Sequence, residues 1–148
     1  MLVNENQPNW PVNLIGFDAS TSYGSPSYWV QQMFANNLGK QVVTARLNER
    51  SPLRQAVTMT ANGGRKTFYV KLVNPTAQVQ TTRLALTGVS GVDGTGTLTV
   101  LTGDPAARNT LAAPDAVVPQ AKQVTGLAAT TKLALPANSV SVLVVTGR

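Results

Sequence analysis

The chain has no cysteine and no histidine among its 148 residues. The first absence excludes disulfides and thiolate metal sites. The second removes the commonest metal ligand and the usual general base at neutral pH. Charge is scarce as well: 12% of the residues are Asp, Glu, Lys or Arg, about half of the ~25% in an ordinary globular chain. No apolar run approaches the ~20 residues that span a bilayer, so no membrane partner is expected. Met1-Leu2-Val3 gives way at once to Asn4 and Glu5, which is not the start of a signal peptide. No cofactor or metal is expected from what remains.

What is present is unevenly distributed. Trp10, Phe17, Tyr23, Tyr28, Trp29 and Phe34 all precede residue 40, whereas the remainder holds only Phe68 and Tyr69. The net charge of +6 is also local: Lys40, Arg46, Arg50, Arg54, Arg65, Lys66, Lys71 and Arg83 are opposed over that stretch by Glu49 alone. A single-strand nucleic-acid surface sets such cations among exposed stacking aromatics. Here they are spaced along strands and turns, so they read as solvated surface charge and no nucleic-acid partner is expected.

One helix is predicted over 26–38. Ser25 is a good N-cap and Pro26 suits the first helical position, where its missing N–H costs nothing. Tyr28, Trp29, Met33 and Phe34 recur at helical spacing, Leu38 extends the stripe, and Gly39 with Lys40 supplies a stop. That stripe needs a cover: the rest of the chain, a partner, or self-association through the Tyr28, Trp29, Met33 and Phe34 face.

From residue 41 the period becomes two. Val43, Ala45 and Leu47 alternate with Val42, Thr44 and Arg46. Phe68, Val70 and Leu72 alternate with Thr67, Tyr69 and Lys71. Leu84 and Leu86, Leu98 and Val100, and finally Val140, Val142 and Val144 repeat the pattern. Turn signals at Asn62-Gly63-Gly64, Asn74-Pro75, Gly91 to Gly96, Asp104-Pro105 and Pro136-Ala137-Asn138 separate these runs. Seven to nine short strands so spaced predict a mainly β chain with a two-sheet sandwich of jelly-roll or Greek-key type. Residues 103–120, with three prolines, are expected to cross between the sheets.

The acids offer little chemistry. Cleavage of a glycosidic bond by the usual route needs two carboxyls ~5–5.5 Å or ~6.5–9.5 Å apart. Asp93 and Asp104 sit in turns, Asp115 in the long connection, Asp18 in a loop or cap, and Glu49 between Arg46 and Arg50 as a surface ion pair. Glu5 alone emerges from the end of an apolar run. Gly91 to Gly96 has the glycine density of a phosphate loop but lacks Gly-Lys-Ser/Thr, and Asn74-Pro75-Thr76 is blocked as a glycosylation site by its proline. No catalytic residue is assigned.

Three segments carry a family resemblance: Met1-Leu2-Val3-Asn4-Glu5-Asn6, then Asn9-Trp10-Pro11 through Leu14-Ile15-Gly16-Phe17-Asp18, then Tyr23-Gly24-Ser25-Pro26-Ser27-Tyr28-Trp29. Together they resemble the end of the catalytic domain of α-L-arabinofuranosidases of glycoside hydrolase family fifty-one. Asn109-Thr110, Pro114 and Val117-Val118-Pro119 are similar to the long connection in that family's C-terminal sandwich. The resemblance implies that residues 1–39 are the terminal strand and helix of a (β/α)8 barrel and that 40–148 are the C-terminal β-sandwich. The implied partners are the chain's own upstream catalytic barrel and, through it, arabinose-containing polysaccharide. The catalytic glutamates of such enzymes lie upstream, so the chain alone should be inactive and its role is to brace the barrel. Binding plant polysaccharide as a carbohydrate-binding module is the alternative. Because strand ends form the active-site rim of such a barrel, Asn4, Glu5, Asn6 and Trp10 are the candidates for substrate-rim contact.

Overall fold

Two adjacent glycines reverse the chain, and a long hairpin grows from them. In the computed structural model, which describes residues 2–4 and 14–148, strands β5 (Arg54–Asn62) and β6 (Arg65–Asn74) pair with Asn62 opposite Arg65. Gly63 and Gly64 between them have φ of 55° and 79°. A two-residue type I′ loop requires positive φ at both central positions, which glycine adopts without steric cost.

Ahead of the hairpin come β1 (Leu2–Asn4), β2 (Ile15–Phe17), β3 (Ser22–Gly24), helix α1 (Pro26–Ala35) and β4 (Gln41–Val42). After it follow β7 (Gln80–Ala85), β8 (Val92–Thr102), β9 (Gln120–Thr125), β10 (Thr130–Leu135) and β11 (Ser139–Gly147). β1 pairs parallel with β2, and β2 antiparallel with β3. The large sheet has the order β4-β5-β6-β11-β8-β9, and β10 pairs with β7 in a second, two-stranded sheet. The chain is therefore a mainly β protein with a sandwich preceded by a strand–helix unit, as the periodicity and the resemblance predicted.

The main core lies between the two sheets. Val57, Phe68, Val70, Leu72, Leu98, Leu143 and Val145 of the large sheet meet Leu127, Leu133 and Leu135, with Val43, Ala45 and Leu47 packed at the margin. Phe68, Val70 and Leu72 share a face, as period two requires. Alternate residues of β11 point the other way, toward the helix. Val142 is 1% exposed there and joins Leu101, Val117 and Met33 in a second core, against which Trp29, Val30, Phe34, Val140 and Val144 pack. The large sheet is thus covered on both faces. Part of the helix stripe finds its cover in the chain's own sheet: Met33 is buried there with Trp29 and Phe34 packed beside it, while Leu38 stays exposed.

Several boundaries differ from expectation. The Ser25 side chain does accept from the Tyr28 N–H and Pro26 opens the helix, but α1 ends at Ala35 instead of residue 38. Asn36 caps it, and the Asn37 side chain donates to the Met33 carbonyl. Gly39 acts through closeness, not through a left-handed turn. A Cβ there would lie 2.4 Å from the Met59 backbone nitrogen, and the Gly39 N–H donates to Thr58 Oγ1 at 2.9 Å.

Only Gln41 and Val42 of the 41–47 run enter a ladder. The remainder keeps its alternation without a partner strand, because Val43 bonds to the edge of β5 and the chain then leaves for the second layer. Gly91 to Gly96 is not one turn: β8 begins at Val92, and Gly96 lets its backbone approach that of Val144. The connection 103–119 joins β8 and β9, neighbours in the same sheet, so it does not cross between sheets. Ala107 and Val117 instead tuck it beneath the helix.

Candidate functional site

Several of the charged and amide side chains that could do chemistry are occupied by the fold. Asp18 Oδ1 accepts from the backbone N–H groups of Ser20 (2.8 Å) and Thr21 (2.7 Å) and from the Ser20 hydroxyl. Those bonds favour the charged form and hold its carboxyl below the usual carboxylate range. Asp104 turns its chain in the same way, accepting from Ala106 N–H at 2.7 Å. Asp93 of β8 pairs with Arg65 of β6, the two strands that flank β11, in the one ion pair among the described residues. Glu49 does not make the expected pair with Arg46 or Arg50. It sits in a turn closed by Ser51 N–H on the Asn48 carbonyl and by Arg50 N–H on Asn48 Oδ1. Among the described residues no three acids gather as a metal site would need.

The cations between residues 40 and 83 are exposed or half-buried with one exception. Lys71 lies on the helix-facing side of β6, 6% exposed, with its Nζ 5.4 Å from the centre of the Phe34 ring. Burial pushes its ammonium below the usual lysine range, and the ring face offers a cation–π contact in return. Nothing in the strand pattern distinguishes Lys71 from its solvated neighbours. Only the position of the helix does.

Two asparagines connect the pieces. Asn74, 1% exposed, ends β6. Its Nδ2 donates to the carbonyls of Gln78 (2.8 Å), Pro136 (2.7 Å) and Leu135 (3.3 Å), and its Oδ1 accepts from the Thr76 N–H and hydroxyl. One side chain thereby ties the β6–β7 turn to the β10–β11 turn. Asn109, 3% exposed, donates from Nδ2 to the Gly24 carbonyl (2.7 Å) and the Val117 carbonyl (2.9 Å), while Oδ1 accepts from Val117 N–H (2.7 Å). It joins the long connection of the sandwich to the residue preceding the helix N-cap. An asparagine closing an apolar strand before proline is a visible signal for the first. The second has no local signal beyond its resemblance to the family's connection.

Of the four rim candidates, Asn4 alone lies among the described residues. Asn4 ends β1 opposite Phe17 and is exposed. Glu5, Asn6 and Trp10 lie outside the described residues. Phe68 and Tyr69 make no sugar-stacking platform, because Phe68 is 4% exposed in the inter-sheet core and Tyr69 is half-buried on the opposite face. No described helix is long and apolar enough to cross a membrane.

Comparison with known proteins agrees with this geometry. Residues 1–139 match the family model described as alpha-L-arabinofuranosidase C-terminal domain. The chain is 31% identical over 125 residues to alpha-L-arabinofuranosidase 1 of Arabidopsis thaliana, covering 80% of this chain and 18% of that protein. It is 35% identical over 145 residues to alpha-L-arabinofuranosidase A of Aspergillus kawachii, covering 96% and 22%. The chain therefore spans about a fifth of the length of these curated relatives. An arabinose-bound family 51 α-L-arabinofuranosidase, MgGH51, superposes over 100% of this chain and 23% of its own with a TM-score of 0.91 at 34% identity. The family 51 α-L-arabinofuranosidase of Thermotoga petrophila shares the fold, with a TM-score of 0.76 at 17% identity.

Proposed function

The chain belongs to the family of alpha-L-arabinofuranosidase C-terminal domains, and from that premise we propose that it braces the catalytic barrel of an enzyme that releases terminal arabinofuranosyl groups from arabinose-containing polysaccharide. Residues 1–39 then correspond to the last strand and helix of the barrel and 40–148 to the sandwich. The carrying observation is the way α1 is fixed. Met33, Trp29 and Phe34 are packed on the outer face of the large sheet, and Asn109 bonds to Gly24 just before the helix. A barrel whose last helix is held this firmly gains a rigid buttress. In this reading Asn4, Glu5, Asn6 and Trp10 stand at the rim of the parent's active site, where barrel strand ends gather.

Hydrolysis of 4-nitrophenyl α-L-arabinofuranoside tests the proposal. The pure 148-residue chain should give no turnover, and turnover by it would refute the non-catalytic reading. In the full parent enzyme, Asn109→Ala should lower the unfolding temperature of the catalytic unit while leaving kcat/KM at low temperature near that of the unaltered enzyme. A selective loss of kcat/KM without loss of stability would count against bracing.

A further inference from the structure

Strict alternation turns one face of the small sheet outward. Burial alternates residue by residue along β7 and β10. Leu84, Leu133 and Leu135 point into the core between the sheets. Thr81, Arg83 and Ala85 of β7, with Thr130, Lys132 and Ala134 of β10, therefore form the outer face. All six are exposed.

The centre of that face sets two cations side by side. Arg83 lies directly opposite Lys132 in the ladder. The Leu86 N–H donates to the Ala129 carbonyl at 2.7 Å, and antiparallel pairing alternates bonded with non-bonded positions. Counting along the register from that bond puts Arg83 and Lys132 at a non-bonded position, where opposed side chains come closest. Like charges so placed destabilise a sheet. Neither strand contains an acid to relieve them, and neither cation joins an ion pair among the described residues. Thr81 and Thr130 stand at diagonal corners, with small Ala134 and Ala85 opposite them, so the cations rise from an unobstructed floor.

Two further facts describe the partner. Helix α1 packs on the outer face of the large sheet, which lies on the other side of the core from this face. A barrel held through α1 leaves the β7–β10 face to solvent, so its counter-charge comes from outside the parent. The face also has no aromatic side chain, which leaves no platform for a nucleic-acid base or an uncharged sugar ring to stack on. Paired cations flanked by threonine hydroxyls suit a chain of sugar rings that carries carboxylates. We propose that this face binds a polyuronate, a polysaccharide bearing carboxylate groups, and so holds the enzyme on an acidic matrix. The proposal rests on the reading of the parent as an arabinofuranosidase acting on polysaccharide.

Interferometry on immobilised polygalacturonate tests it with the 148-residue chain. Binding should be evident at low salt and fade as ionic strength passes about 0.15 M, where charges are screened beyond ~8 Å. Arg83→Gln with Lys132→Gln should weaken it about fivefold. This double variant relieves a repulsion, so it folds at least as well as the original. Lys40→Gln with Arg108→Gln removes the same charge from the helix side, since Lys40 follows α1 and Arg108 adjoins Ala107 beneath it. That control should change affinity less than about twofold, and uncharged linear arabinan should be held far more weakly than polygalacturonate. Equal losses in the two double variants would mean net charge alone and overturn the proposal. So would arabinan binding as tight as polygalacturonate binding. Single-stranded DNA held more tightly, and released by the Arg83 and Lys132 substitutions, would make the face a nucleic-acid surface instead. The full parent should show the same dependence on Arg83 and Lys132, and its absence there would mean a covered face and refute the assignment. Arabinofuranoside hydrolysis by the parent is scored separately. An active parent with no polygalacturonate binding sinks this inference alone, and binding by an inactive parent sinks the proposed function alone.

Discussion

Replacing Asn74 by alanine removes the single side chain that holds two turns of the sandwich together. Its Nδ2 donates to three carbonyls and its Oδ1 accepts from two Thr76 donors. Thr76 and Gln78 lie in a turn that water can reach, so their groups can be resolvated at a net cost of ~0.5–1.5 kcal/mol per bond. The Leu135 and Pro136 carbonyls point into the site that Asn74 fills, but Pro136 keeps the Ser139 hydroxyl at 2.7 Å and Leu135 stays paired with Gln80 in the β10–β7 ladder, so each also loses one bond of ~0.5–1.5 kcal/mol and neither is orphaned. A loss of about 3 kcal/mol is expected. For a chain of this size each kcal/mol shifts the unfolding temperature by ~2–4 °C, which gives a fall of about 6–12 °C. Urea unfolding should show a lower midpoint with an unchanged slope. Asn74→Asp sharpens the test, because it keeps the shape and turns a charge toward three carbonyls. Burial and those carbonyls raise the pKa of the introduced acid above its unfolded value. Its extra penalty is therefore absent below about pH 3.9 and grows as pH rises. An Asn74→Ala variant melting within 2 °C of the original (roughly 1 kcal/mol at this size) would refute the reasoning.

Other perturbations address the helix and its seat. Met33→Ala opens a cavity between α1 and the large sheet and should cost about 2–5 kcal/mol by chemical denaturation. Gly39→Ala drives a Cβ to 2.4 Å from the Met59 backbone, and the forced shift should lower the melting temperature by several degrees, about 1–3 kcal/mol. Lys71→Met should be neutral or stabilising at pH 7, since it replaces a buried charge with an apolar chain of similar length. The folded-state pKa of Lys71 is depressed, so the unfolded chain holds more protons as pH approaches the lysine range. The original protein should then gain stability on the variant as pH rises toward 10.5, and a constant difference from pH 7 upward would contradict it.

Much of this architecture was legible from residue order alone, and what escaped has a common cause. The alternation in β6 and β11, the Gly63-Gly64 reversal and the Ser25-Pro26 helix start are local rules that the fold obeys. Residues 43–47 kept their alternation but lost their ladder, because period two reports which face is buried and not whether a neighbour strand exists. Residues 103–120 return to the same sheet instead of crossing for a similar reason: prolines announce a connection without saying where it leads. Lys71 carries no local mark at all. Its burial depends on a helix that arrives from elsewhere in the chain. The rim candidates Glu5, Asn6 and Trp10 lie outside the described residues and stay with the proposed function.

The cover that α1 gives the outer face of the large sheet has a practical corollary. A polypeptide started at residue 40, where composition suggests a natural cut, would strip Met33, Trp29 and Phe34 from Leu101, Val140, Val142 and Val144. Bare aliphatic surface of that kind drives clumping in water. The smallest portable unit is consequently the whole strand–helix–sandwich assembly, and moving this sandwich to another chain means moving helix α1 with it.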